Sequence, residues 1–138
     1  MEALLASPGC LGVEAGQFAS GKAVIFAWFE DKQAVLKWYY SEKHTSLAGL
    51  YFDERAAEHK PLRRIPDDSG PLLVIASITP AASPQLEGVN MPISQIAIEV
   101  YQPMPAGLSI NGTFTPAGVK VPGRVDERIP PAAPAPTP

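Results

Sequence analysis

The chain holds two histidines, His44 and His59. His44 closes the run Trp38-Tyr39-Tyr40-Ser41-Glu42-Lys43-His44. An imidazole exchanges its proton near neutral pH, so His44 is the candidate acid or base. Phenol hydroxyls donate hydrogen bonds, so Tyr39 and Tyr40 are candidate donors to a substrate anion. Trp28 and Trp38 offer flat apolar surface for lining a pocket. Each of these residues also has a plainer reading. The tryptophans suit a core, one tyrosine packs while the other reaches water, and Ser-x-x-His suits a structural turn. His59 lies in a polar stretch and reads as exposed. Glu30-Asp31 is a carboxylate pair, but acidic residues also favour a helix start. The single cysteine, Cys10, has no adjacent base to lower its pKa, which argues against a nucleophile. The chain contains no phosphate-binding loop, no glycine-rich dinucleotide turn and no HExxH motif.

Alternation and helical periodicity define the elements that must position these side chains. Met1 to Ala6 reads as the end of a helix, stopped by Ser7-Pro8-Gly9. Leu11 to Phe18 reads as a strand, with Leu11 and Val13 on one face and Gly12 and Glu14 on the other. After the turn Ala19-Ser20-Gly21 comes KAVIFAWF, Lys22 to Phe29. It is rich in β-branched and aromatic residues and apolar on both faces. Asp31 suits a helix N-cap, and Val35, Trp38 and Tyr39 follow at helical spacing. Ser41 interrupts that helix or caps a second one through Leu47, Leu50 and Tyr51. Asp53 to Pro71 is polar and reads mostly as loop. Leu72 to Thr79 and Ile93 to Gln102 are two further strands, separated by the proline-bearing loop Pro80 to Pro92. In the last of these, Ile96, Ile98 and Val100 share a face. Leu108 to Phe114 is a short edge strand. The order predicts an α+β domain, a helix packed on one face of an antiparallel sheet.

Hydrophobic residues make up 46% of the 138 residues and charged residues 18%, the balance of one globular domain. The domain is expected over residues 1–121. From Pro122 the chain reads PGRVDERIPPAAPAPTP and is expected to be an extended, disordered tail. The net charge is −3. The densest basic run, His59-Lys60-Pro61-Leu62-Arg63-Arg64, is flanked by acids, so a nucleic-acid partner is not expected. One cysteine excludes an intrachain disulfide. No apolar run approaches the length of a membrane span, and no leader is recognised before Cys10, so the expected location is the cytoplasm. Asn111-Gly112-Thr113 fits a glycosylation acceptor but has no meaning there.

The run Phe29-Glu30-Asp31-Lys32-Gln33-Ala34-Val35-Leu36-Lys37-Trp38, followed by Ser41-Glu42-Lys43-His44, resembles the strand-to-helix signature of the antibiotic-biosynthesis-monooxygenase family. Pro8-Gly9-Cys10-Leu11-Gly12-Val13-Glu14 resembles that family's entry to its second strand. Related dimeric ferredoxin-like families share the pattern, which covers about Ser7 to Leu50. The resemblance implies a ferredoxin-like fold and a homodimer of the α+β barrel type. It also implies a cofactor-independent oxygenase whose aromatic or otherwise ionisable substrate reacts with O₂ from its anion. In that reading His44, Tyr39 and Tyr40 are catalytic, and Trp28, Phe29 and Trp38 bind the substrate. Two departures accompany it. Only Met1 to Ala6 stands where the family has its first strand and helix, so either the start is truncated or another element fills the place, the candidate being one of the two later strands, from this chain or a swapped partner. Phe29 stands where the heme-degrading branch has tryptophan, so neither heme nor another cofactor is expected. The alternative function is a non-catalytic binding or assembly subunit on the same scaffold, with the proline-rich tail contacting a larger complex.

Overall fold

The computed structural model describes residues 1–44 and 60–134. The second helix expected through Leu47, Leu50 and Tyr51, the start of the polar loop and His59 lie outside the described residues. The chain divides into two compact units, Met1–Pro103 and Met104–Pro138.

The first unit opens on a single helical turn, α1 (Glu2–Leu5), and then β1 (Cys10–Gln17) and β2 (Ala23–Phe29). Helix α2 (Lys32–Tyr39) follows, then β3 (Leu72–Pro80) and β4 (Ile93–Tyr101). The four strands form one sheet in the order β1-β2-β3-β4, with every neighbouring pair antiparallel. The α+β class, the antiparallel sheet and the strand positions agree with the sequence pattern to within a residue or so.

The registers separate two faces. Val13, Ala27, Val74 and Val100 lie side by side across the sheet, and Phe29 lies beside Leu72. Ala27, Phe29, Leu72 and Val74 form the core with Ala34 and Val35 of α2, and Leu4, Val13, Trp38, Leu62, Ile65 and Val100 pack at its margin. Burying each Val, Leu or Phe there contributes roughly 1.5–3 kcal/mol. Gly12, Trp28, Leu73 and Tyr101 form a row on the opposite face, with Val24 and Ser77 paired further along it.

The face expected for Leu11 needs correction. Cys10 pairs with Phe29 and Gly12 with Trp28, so Leu11 is the extra residue of a bulge. An extra residue reverses alternation beyond it. Cys10 and Val13, rather than Leu11 and Val13, therefore face the core. The bulge follows Gly9, whose φ of +80° suits glycine. The Gly9 carbonyl accepts from the Glu30 N–H at 2.9 Å, tying the entry of β1 to the exit of β2.

Helix α2 starts where its chemistry demands. Asp31 is extended, and its carboxylate accepts from the Ala34 N–H at 2.8 Å. Lys32 donates to the Ile65 carbonyl and to Asp67, both at 2.8 Å, which holds the loop before β3 against the helix start.

In the second unit, β5 (Leu108–Ile110) and β6 (Val125–Glu127) form a two-stranded parallel ladder. The strand expected through Phe114 stops at Ile110. Strand β6 lies in the segment read from composition as an extended tail. Arg124 explains why it is placed there. Its guanidinium bonds Asp126 at 2.7 Å and the Thr115 hydroxyl at 3.0 Å, while Ser109 donates to the same carboxylate.

Candidate functional site

The candidate residues gather at the end of α2, except one. Trp38 and Tyr39 occupy its last turn and Tyr40 is its C-cap. The next residues turn at once into a new helical stretch, residues 42–44. Ser41 starts it, its hydroxyl accepting from the His44 N–H at 3.3 Å. This is the geometry of an N-cap serine and the third helical residue.

His44 is folded back over α2. Its Nδ1 is 2.8 Å from the Tyr39 carbonyl oxygen. A carbonyl only accepts, so Nδ1 carries the proton and Nε2 is the ring nitrogen left to accept one. The ring centroid lies 4.2 Å from that of Trp38 and 5.0 Å from that of Tyr39. Trp38 in turn lies 6.0 Å from Phe29, and Tyr39 meets Tyr40 edge to face at 5.1 Å. The result is a continuous aromatic row from the buried Phe29 ring to Tyr40, which is 61% exposed. Tyr39 is half-buried. One tyrosine packs and the other reaches water.

Trp28 is not part of this row. It neighbours Phe29 in a strand, so the two side chains leave opposite faces of the sheet. Both are buried. The Trp28 Nε1–H has no hydrogen-bond partner among the described residues. A buried donor of this kind is costly unless an acceptor reaches it.

Chemically, the row can hold a ring-stacking ligand at its exposed end and can move one proton through His44 Nε2. Glu30 is exposed, and the Asp31 carboxylate is taken up by the helix cap. Cys10 is half-buried, its thiol is pushed up by burial, and its sulfur lies 3.9 Å from the Gly12 carbonyl. That is the opposite of an activated nucleophile. Among the described residues no cluster of His, Cys, Asp and Glu has the geometry to hold a metal ion. No described helix is long and apolar enough to cross a membrane.

The chain matches no family model, no curated protein and no solved structure.

The sequence reading missed the polar framework of the second unit. Asn111 has a φ of +58°, and its side-chain amide donates to the Ile129 carbonyl at 2.9 Å and accepts from the Ile129 N–H at 2.8 Å. The dipeptide Asn111-Gly112 was the available signal, since asparagine before glycine favours left-handed turn geometry.

Proposed function

We propose that this chain is a non-catalytic binding or assembly subunit on a dimeric ferredoxin-like scaffold, akin to the antibiotic-biosynthesis-monooxygenase proteins. One observation carries the reading: Trp28 leaves the sheet on the face opposite to Phe29, so it shares no chamber with the other five candidates. On the helix side, His44 uses its ring nitrogen to bind the end of α2 and its faces to pack on Trp38 and Tyr39. Such a residue stabilises a turn.

The strand order supports the scaffold. A ferredoxin-like sheet places its first strand between the third and the fourth, antiparallel to both. Here β1 and β2 correspond to the second and third strands of that unit. Strand β3 then lies beside β2 and antiparallel to it, in the slot of the missing first strand. Strand β4 lies beside β3, in the slot of the fourth. On this reading β3 of the same chain takes the first-strand slot.

The homodimer is part of the proposal. Phe26, Trp28, Leu73 and Ile75 lie on the sheet face away from α2; Trp28 is buried and the other three are half-buried within the single chain, so a second sheet layer from another copy, the family's arrangement, would add to that cover rather than supply it. Sedimentation equilibrium of the full chain at micromolar concentration tests it. The expected mass is twice the chain's 14.7 kDa. A monomer mass overturns the dimeric scaffold.

A cofactor-independent oxygenase is the second reading, and one observation favours it. The Tyr39 carbonyl fixes the His44 tautomer, leaving Nε2 as a base. Tyr40, exposed on the far side of Tyr39, then donates to the substrate anion. Oxygen uptake with readily ionised polycyclic phenols as substrates, lost in His44→Ala and reduced in Tyr40→Phe, is the outcome that would favour it over the assembly reading.

A further inference from the structure

We infer that residues 128–134 form a docking segment for a polyproline-recognising domain, one with an aromatic groove ending in a carboxylate pocket. The inference rests on the binding-subunit reading and supplies it with a partner class. The segment reads Arg128-Ile129-Pro130-Pro131-Ala132-Ala133-Pro134. Its prolines fix φ near the polyproline value, and the residue before each proline is pushed into the same extended region. A polyproline II helix has three residues per turn. Arg128, Pro131 and Pro134 then fall on one edge, and the row spans ~19 Å at a rise of about 3.1 Å per residue. The pairs Pro130-Pro131 and Ala133-Pro134 each present an apolar residue followed by a proline to the same side. Aromatic-lined grooves accept that shape as two successive ridges. Arg128, one turn ahead of the first ridge, supplies a planar cation for a carboxylate. Its position fixes which way round the segment binds.

The structure provides the presentation. Residues 128–134 are all exposed and contain neither helix nor strand. The segment departs from a fixed point, because the Asn111 side-chain amide occupies both backbone hydrogen-bonding groups of Ile129. Just upstream, Val125–Glu127 is paired to Leu108–Ile110. Beyond that anchor Pro130 and Pro131 have no N–H, so the segment cannot extend the ladder. A pre-stiffened ligand on a rigid base loses little conformational freedom when it binds.

The test is a titration of the isotope-labelled full chain with an SH3 domain that carries an acidic pocket at one end of its groove, followed by NMR. The expected result is saturable shifts at the amides of Arg128, Ile129, Ala132 and Ala133, with the strand amides of β1 to β4 unmoved. Arg128→Glu should weaken binding at least tenfold, and Pro131→Ala with Pro134→Ala should weaken it as much. These positions are exposed and outside the ladder, so the variants keep the wild-type spectrum of the sheet. Absence of shifts at millimolar domain, or binding undiminished by Arg128→Glu, overturns the inference. A chain that sediments as a dimer yet shows no such shifts keeps the scaffold and loses the docking segment. A monomer that shows them does the reverse.

Discussion

The imidazole Nδ1 of His44 sits 2.8 Å from the carbonyl oxygen of Tyr39, five residues back and in the last turn of α2. The last carbonyls of a helix have no partner within it. His44 supplies one, and its ring shields the turn by resting on Trp38 and Tyr39. Replacing it by alanine removes a net hydrogen bond, ~0.5–1.5 kcal/mol, and ring contacts of similar size. Urea denaturation of His44→Ala should show a loss of about 1–3 kcal/mol, the sum of those terms. An unchanged midpoint would contradict the structural role given to this residue.

At the other end of α2, Asp31→Ala should cost ~0.5–2 kcal/mol, because the Ala34 N–H loses its acceptor. Asp31→Ser should recover most of it. The comparison of the two variants in denaturant separates capping from a general effect of lost charge. If serine is as damaging as alanine, the cap is not what Asp31 contributes.

Gly9→Ala should be among the most damaging single substitutions in the first unit. A Cβ at this position would stand 2.5 Å from the Ala34 Cβ and 2.8 Å from a Glu30 carboxylate oxygen. The φ of +80° adds strain of about 1–3 kcal/mol. Combining it with Ala34→Gly removes the methyl clash and leaves the backbone strain. The double variant is therefore expected between wild type and Gly9→Ala in thermal melts. A wild-type melting temperature for Gly9→Ala alone would show that the Pro8-Gly9 turn is not built this way.

The Asp126 carboxyl is held below its ordinary value of 3.8, chiefly by its bond to Arg124, then by that from Ser109. A depressed folded pKa stabilises the folded form above the unfolded value. That contribution is lost as pH falls through the folded value. Titration of the Asp126 side-chain carbon by NMR should therefore give a midpoint below 3.8, with the Arg124 Nε resonance moving together with it. Arg124→Gln should raise the midpoint, and a midpoint unmoved by that change would remove Arg124 as the cause.

The Cys10 thiol, raised by burial, should react more slowly with a disulfide reagent at pH 8 than a free cysteine. Unfolding in urea should restore the rate. Fast reaction in the native chain would place the sulfur at the surface instead.

By itself the sequence determined the local elements of the first unit. Alternation over Ile96, Ile98 and Val100 and the dense β-branched run of Leu72 to Thr79 mark strands, because a pleat has a period of two. Asp31 before an amphipathic run marks a helix start, because the first-turn N–H groups need an acceptor. The first Pro-Gly pair marks the end of α1 for reasons equally local.

Tertiary structure decided what lies beside what. Alternation says that Trp28 and Phe29 part company, but it does not say which of them meets α2; the core formed with Leu72, Ala34 and Val35 chose Phe29. A single bulge at Leu11 moved Cys10 to the core face, since one inserted residue reverses the period, and no composition rule signals it. The place of β3 between β2 and β4 is a pairing across distant segments, invisible to a short window. The same holds for β6. Val125–Glu127 reads as tail beside so many prolines, and it becomes a strand because Arg124, Asp126 and Asn111 find partners many residues away, at Thr115, Ser109 and Ile129. Local propensity is a property of neighbours in the chain, whereas these bonds exist only once the chain has folded.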